Sequence, residues 1–155
     1  MISLKRILVA TDFSEASREA LQRGQLLAKV FDAQLHLLHV IAEPLNQAWV
    51  GYTPASELGS LLDQFEDKAR ARLEELASRD DLASRRVVIA TGLGNAADEI
   101  LKYAAQQKVD LIICGTHGRR GWNRLAMGSV AERIVRLAHC PVLTVHAGTD
   151  ESAVA

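Results

Sequence analysis

A glycine-rich stretch is the part of this sequence best suited to bind an anion. It covers residues 115–129, follows a short apolar run, and its charged residues are Arg119, Arg120 and Arg124, a local charge of +3. Glycines let a backbone approach a ligand with no Cβ in the way, and the free N–H groups at a helix N-terminus attract phosphate. This glycine segment therefore predicts a phosphate cradle. The competing interpretation is that its glycines are turn residues and its arginines a solvated surface.

A second chemical feature is the acidic residue Asp12, which follows the apolar run 7–10 near the N-terminus. An ionised carboxylate accepts hydrogen bonds, so it suits the hydroxyl groups of a sugar. The alternative role of Asp12 is structural, because an acid at the start of a helix is favoured by the helix dipole.

Short apolar runs alternate with helical stripes along the whole chain, which predicts the elements that position these residues. The third helix is predicted to begin at an Asn95 cap, and the fourth at a capping box formed by Ser129 and Glu132. The five predicted strands are Gln34–Ile41, Val142–Val145 and residues 7–10, 86–90 and 109–114; the first helix is predicted after Ser14 and the second along residues 58–76.

Five strands alternating with four helices predict a doubly wound, Rossmann-like α/β fold with a parallel sheet and helices on both faces. The chain has 155 residues, and one domain usually takes about 100 to 200. We therefore expect one domain over residues 1–147 and a flexible tail over 148–155. In such sheets ligands bind beyond the carboxyl ends of the strands, where the strand order reverses.

The spacing of the glycines resembles a known pattern. Gly115, two residues, Gly118, nine residues, Gly128 and then Ser129 are similar to the nucleotide-binding motif of the universal stress protein family. Residues 5–14 resemble the first strand and Thr-Asp-x-Ser turn of that family, and residues 140–143 resemble the entry to its last strand. The resemblance covers residues 3–146 and implies a five-stranded sheet in the order 3-2-1-4-5, of the adenine nucleotide alpha hydrolase-like type.

The resemblance also implies a binding site for ATP, with magnesium left open. Its adenine contacts are Ala10 and Val40, its ribose contacts Asp12 and Gly115, and its phosphate contacts Gly118, Arg119, Gly128, Ser129 and Val130; the neighbouring residues Thr11 and Thr116 complete the implied set.

The function expected from these residues is that of an ATP-binding regulatory or stress-response protein. One alternative is a slow ATPase or nucleotidyl transferase that uses the same cradle, but residues 111–131 contain no acid to hold a metal or position water. The other is a dimeric interaction module without nucleotide. Family resemblance implies a homodimer through the last strand, from Val142 to His146, whereas the residues do not name a regulated protein partner.

Composition excludes several other classes. A net charge of −1 gives no overall positive field for nucleic acid, and no apolar stretch approaches the roughly 20 residues of a membrane span. Cys114 and Cys140 lack the spacing of paired ligands and are predicted to be small buried hydrophobes. We expect a cytoplasmic protein.

Three further features have more than one interpretation. Residues 92–97 fit a dinucleotide fingerprint, but the acid expected about 20 positions on is missing, so a turn with a helix cap is favoured. His117 either contacts phosphate or shapes the glycine segment, in which Trp122 is expected to pack. The long connection 42–55 is a possible cover for adenine.

Overall fold

The computed structural model describes residues 3–42, 55–78, 87–116 and 127–147 of the chain. Within these ranges, strands and helices alternate as the apolar pattern predicts. In chain order they are β1 (Arg6–Ala10), α1 (Glu15–Phe31), β2 (Gln34–Ile41), α2 (Ala55–Ala77), β3 (Val87–Leu93), α3 (Ala96–Gln106), β4 (Leu111–Gly115), α4 (Ser129–Leu137) and β5 (Val142–Val145).

The strands form one parallel sheet in the order β3-β2-β1-β4-β5, which confirms the predicted fold class and strand order. Ile7 of β1 lies opposite Leu35 of β2 on one side and Leu111 of β4 on the other. The chain therefore leaves β1 in one direction and later returns on its other side at β4. The carboxyl ends of these two strands flank the point of reversal, where ligands bind in sheets of this kind.

Both faces of the sheet are covered by helices, because alternate residues of each strand point to opposite sides. Ile7 and Val9 pack with apolar residues of α1 and α2. Leu8 packs on the other face with Ile100 of α3 and Ile134 of α4. All five side chains are at least 96% buried, and burying one such side chain contributes about 1.5–3 kcal/mol.

Two glycines bring α1 unusually close to the centre of the sheet. A Cβ built on Gly24 of α1 would collide with Cγ2 of Val9. A Cβ on Gly115, the last residue of β4, would lie 2.8 Å from Cβ of Ala16 and 3.3 Å from the backbone nitrogen of Ser17. The first turn of α1 therefore rests directly on the carboxyl end of β4.

β1 begins one residue earlier than predicted, at Arg6, and two other strands differ more from the sequence prediction. β3 continues to Leu93, three residues beyond the predicted end, because Thr91, Gly92 and Leu93 pair with the last residues of β2. β4 begins at Leu111, two residues later than predicted. Before it, the carboxylate of Asp110 accepts hydrogen bonds from the backbone N–H groups of Lys5 and Arg6 at 2.8 and 2.9 Å.

Candidate functional site

The turn that follows β1, residues 11–14, is held by its own short side chains. Thr11 donates from its backbone N–H to the carbonyl oxygen of Leu38 at 2.9 Å. Its hydroxyl donates to Oγ of Ser17 and accepts from the N–H of Phe13, both at 3.0 Å. Since Thr11 is only 7% exposed, its side chain stabilises the turn and is directed away from solvent.

Asp12 lies half-buried at the tip of this β1 turn. Its Oδ1 accepts a hydrogen bond from the N–H of Ser14 at 3.0 Å, and Ser14 in turn caps α1 by accepting from the N–H of Ser17 at 3.3 Å. Phe13, between them, has a φ of +64°, a region that a bulky side chain rarely adopts. The backbone reversal at Phe13 therefore brings the Asp12 carboxylate onto the start of α1.

Contacts from β2 and α2 fix that unusual conformation. The Nδ1 of His39 lies 2.8 Å from the carbonyl oxygen of Thr11, so Nδ1 must carry the hydrogen, because a carbonyl only accepts. The centroid of the His39 ring lies 4.5 Å from that of the Phe13 ring. The guanidinium of Arg72 lies over the Phe13 ring, 4.0 Å from its centroid. The turn carrying Asp12 is thus supported by two side chains, His39 and Arg72, that the sequence analysis did not assign to the site.

At the end of β4, Thr116 makes three contacts with neighbouring elements. Its N–H donates to the carbonyl oxygen of Val145 at 2.9 Å, and its own carbonyl oxygen accepts from the N–H of Gly128 at 2.6 Å. Its hydroxyl lies 2.9 Å from Nδ1 of His146. Thr116 is 2% exposed, so it joins the end of β4, the end of β5 and the start of α4 from a buried position.

The start of α4 differs from the predicted capping box. The N-cap is Gly128, and Ser129 is the first helical residue, so the prediction that Ser129 and Glu132 form a capping box is wrong. The reason is tertiary: Gly128 is held by its bond to Thr116, and its carbonyl oxygen accepts the first bond of the helix from the N–H of Glu132 at 2.9 Å.

An uncapped helix start follows from this arrangement. Ser14 caps α1 and Asn95 caps α3 as predicted, each by a side-chain oxygen, whereas Gly128 offers none. The N–H groups of Ser129 and Val130 precede the first intrahelical bond and have no helical partner. Their partial positive charge adds to that of the helix dipole, and both residues are exposed.

The predicted site residues that the structure describes lie on neighbouring elements. Ala10 ends β1 and is buried in the same apolar cluster against which Val40 packs. The ends of β1 and β4 adjoin, since the first turn of α1 rests on Gly115. The predicted residues Gly118 and Arg119 lie outside the described residues, as do His117, Arg120, Trp122, Arg124 and most of the connection 42–55.

Ionisation is suppressed at both cysteines, Cys114 near the site and the partly buried Cys140 at the opposite end of the sheet. Burial raises the pKa of the Cys114 thiol to about 11, and it also raises the pKa of Cys140. Cys114 is 5% exposed and packs in the α3 and α4 cluster, which agrees with its predicted role as a small hydrophobe. Within the described ranges, no three His, Cys, Asp or Glu side chains come together as a metal site.

A separate surface cavity of about 490 Å³ lies at the opposite edge of the sheet, next to Lys108, Asp110 and His139. The Asp110 carboxylate already accepts the two backbone bonds, from Lys5 and Arg6, at the amino end of the sheet. Of the helices in the described ranges, none combines the length and apolar character that crossing a bilayer requires.

Comparison with known proteins agrees with this geometry. The chain is 32% identical to universal stress protein MJ0531 of Methanocaldococcus jannaschii, over 91% of this chain and 81% of that protein. The solved structure of MJ0577 from the same organism superposes with a TM-score of 0.82 at 27% identity, covering 96% of this chain and 100% of the other.

Two more distant structures share the fold and contain a nucleotide. One is an Arabidopsis thaliana universal stress protein with AMP bound, 19% identical over 97% of this chain and 96% of its own, with a TM-score of 0.65. The other is a universal stress protein in complex with cAMP. It is 20% identical over 95% of this chain and 100% of its own, with a TM-score of 0.61. The sequence profile of the universal stress protein family matches residues 3–146, and the chain therefore belongs to that family.

Proposed function

We propose that this protein binds an adenine nucleotide, ATP in the first place, at the carboxyl edge of its sheet and acts as a nucleotide-dependent regulatory protein of the stress response. The observation that carries the proposal is the uncapped start of α4. Its N–H donors at Ser129 and Val130 are held beside the end of β4 by the bond from Gly128 to Thr116. Such a helix start is a ready site for phosphate.

The torsion angles of Gly128 support a role in binding. Its φ of −63° and ψ of 149° are open to any residue, so the backbone does not require glycine here. A Ser, Asn or Asp at this position would cap the helix with a side-chain oxygen and stabilise it by about a few tenths of a kcal/mol relative to glycine. Glycine has no side-chain oxygen, so the N-cap residue does not occupy the first N–H donors of α4.

The sugar and base have suitable neighbours in the same proposal. Asp12 presents a carboxylate at the adjoining strand end, and hydroxyl donors suit its oxygens. Ala10 and the partly buried Val40 lie near the ends of β1 and β2 and share one apolar cluster, and we propose that adenine lies against this end of the sheet. The AMP-bound and cAMP-bound relatives lend support, because they show that this fold accommodates adenine nucleotides.

Binding without turnover is the form of the proposal that the residues favour. Phosphoryl transfer usually needs carboxylates that hold a metal and a group that positions the nucleophile. The sequence from 111 to 131 contains no acid, and Oδ1 of Asp12 already accepts from Ser14. The free thiols of Cys114 and Cys140 suit the reducing cytoplasm, where we place the protein.

We further propose that β5 pairs with the β5 of a second copy. β5 is an edge strand in the described sheet, and Leu143 on it is 37% exposed. The strand carries no Lys, Asp, Glu or Pro of the kind that usually blocks edge pairing. A second copy would satisfy its outward N–H and C=O groups.

The decisive experiment is isothermal calorimetry with ATP, AMP and cAMP on the wild-type protein and on Ser129→Asp. An acid in the first turn stabilises a helix by about 0.3–1 kcal/mol, so this variant should fold at least as well as wild type. Its charge would oppose a phosphate at about 4 Å by several kcal/mol, so we expect ATP binding at least tenfold weaker. Ser129→Asn, similar in size and uncharged, is the matched control and should retain most of the affinity.

Absence of heat with all three nucleotides, together with no thermal protection by ATP, would overturn the proposal. Equal ATP affinity in wild type and Ser129→Asp would still support nucleotide binding, but it would contradict contact of the phosphates with the start of α4.

A further inference from the structure

His146 lies just beyond β5, outside the glycine segment and outside every residue that the family motif assigns to the site. Its Nδ1 is 2.9 Å from the hydroxyl of Thr116. Thr116 is also bound through its N–H to Val145. Thr116, which follows β4, is therefore joined to the end of β5 by a backbone bond to Val145 and by a side-chain bond to His146.

Thr116 passes this constraint on to the binding surface. Its carbonyl oxygen accepts from the N–H of Gly128 at 2.6 Å, and the carbonyl oxygen of Gly128 accepts from Glu132 inside α4. Eleven residues separate Thr116 from Gly128 in the sequence. The bond between these two residues sets where the first N–H groups of α4 stand relative to β4.

We infer that His146 is a positioning residue for nucleotide binding, acting through the Thr116 hydroxyl on the start of α4; this rests on the proposed function. His146 itself does not touch the nucleotide in this arrangement. Its effect is to keep Thr116 from turning, so that the N–H groups of Ser129 and Val130 keep their direction. The Thr116 side chain, which resemblance places among the ligand contacts, is here 2% exposed and serves the same positioning role.

The contact is compatible with either role of Nδ1. Where Nδ1 carries no hydrogen, the Thr116 hydroxyl donates to it. Where Nδ1 carries a hydrogen, it donates to the hydroxyl oxygen, and the hydroxyl hydrogen turns to the carbonyl oxygen of Val145, 3.5 Å away. A hydroxyl is both donor and acceptor, so a side chain without one cannot replace threonine here.

The test is a double-mutant cycle on ATP affinity with Thr116→Val and His146→Ala. A net contribution of one hydrogen bond corresponds to a Kd about three- to tenfold higher for each single variant. Since both variants remove the same contact, the double variant should be no weaker than about the worse single one. Thr116→Ser and His146→Asn, which restore a hydroxyl and a polar atom near the Nδ1 position, should recover affinity close to wild type.

Two controls separate positioning from loss of stability. Val109→Ala removes buried methyl groups at the opposite edge of the sheet, where Val109 is 3% exposed, and should lower the melting temperature without changing Kd. His139→Ala removes an exposed imidazole at that same edge and should change neither. Wild-type affinity in His146→Ala, or fully additive effects in the cycle, would overturn the inference.

Amide hydrogen exchange of the nucleotide-free protein tests the positioning step independently. The Gly128 amide should exchange about three- to tenfold faster in His146→Ala than in wild type, and it should return to the wild-type rate in His146→Asn. If wild type binds no nucleotide, the proposed function fails and this measurement still decides the positioning role. An unchanged Gly128 exchange rate would refute it.

Discussion

Replacing Gly115 with alanine adds one methyl group where the first turn of α1 rests on the end of β4. The new Cβ would lie 2.8 Å from Cβ of Ala16, 3.1 Å from its backbone carbonyl carbon and 3.3 Å from the nitrogen of Ser17. Carbon atoms in contact ordinarily stand about 3.5–4.0 Å apart. Two of these atoms belong to the backbone, so relief requires α1 to move away from the sheet by roughly 1 Å.

Overpacking of this kind costs about 1–3 kcal/mol. In a domain of this size each kcal/mol lowers Tm by about 2–4 °C, so Gly115→Ala should melt about 2–12 °C below wild type. The displaced turn carries Asp12, whose Oδ1 is bonded to the N–H of Ser14 at the start of α1. Loss of a hydrogen bond from nucleotide to that carboxylate would raise the Kd for ATP by about 10- to 100-fold.

Chemical denaturation and calorimetry on the same samples measure both effects. Gly59→Ala is the matched control, because Gly59 lies inside α2 and a Cβ there meets nothing within 4 Å; helix propensity should stabilise it by about 0.5–1 kcal/mol. Adding Ala16→Gly to Gly115→Ala removes the nearest clash, so the two changes should be less than additive.

Equal stability and equal ATP affinity in wild type and Gly115→Ala would refute the reasoning. A stable variant with weaker binding would be equally informative. It would show that Gly115 is glycine because the sugar lies against it, as the family resemblance implies, and that packing against α1 is not the constraint.

Two further predictions concern acid stability and assembly. Burial and the charge of Arg6 lower the pKa of His36 from its ordinary value of 6.5, and Tyr103 bonds its Nδ1 at 2.9 Å. As the pH falls below about 6.5, His36 therefore takes up a proton in the unfolded chain before it does so in the folded protein. Urea titrations should show the free energy of unfolding decreasing from pH 7.5 to 5.5, and this pH dependence should be weaker in His36→Asn. A urea midpoint that does not change with pH would contradict the prediction. For assembly, the carbonyl oxygens of Pro141 and Val145 accept bonds from the β4 side. Because successive residues of a strand point their backbone groups to opposite sides, the N–H and C=O groups of Val142 and Thr144 point outward. Thr144→Pro should dissociate the dimer in light scattering at micromolar concentration without removing a bond to β4; a monomeric wild type would contradict the proposed dimer.

Much of the fold was predictable because local and tertiary preferences agree. β2 and β5 have the predicted bounds: β2 is mostly apolar, and β5 is a run of apolar and β-branched residues that directly follows Pro141. Asn95 caps α3 as predicted, accepting from the N–H of Asp98 at 3.2 Å. β3 was predicted too short because Gly92, which has a low strand propensity, is held extended by pairing with Val40 of β2.

The site was less predictable, since its supports depend on contacts between distant residues. A serine before a helix is a better cap than a glycine, so local propensity favours Ser129 over Gly128, and the bond to Thr116 reverses that choice. Nothing local marks Phe13 for a positive φ. His39 could have been found, because it lies near the end of a predicted strand beside β1, whereas no sequence signal connects Arg72 or His146 to the site.

These supports explain why the site depends on more than the glycine segment. Its β1 side is held by His39 from β2 and by the contact of α1 with Gly115. Its β4 side is held by Val145, the last residue of β5, and by His146, which follows it. The Asp12 carboxylate and the donors of α4 are therefore oriented by elements on opposite sides of the point of strand reversal. A chain with the same glycine spacing but without partners for the Thr116 N–H and hydroxyl would present the same atoms in a less defined direction, and we expect it to bind phosphate more weakly.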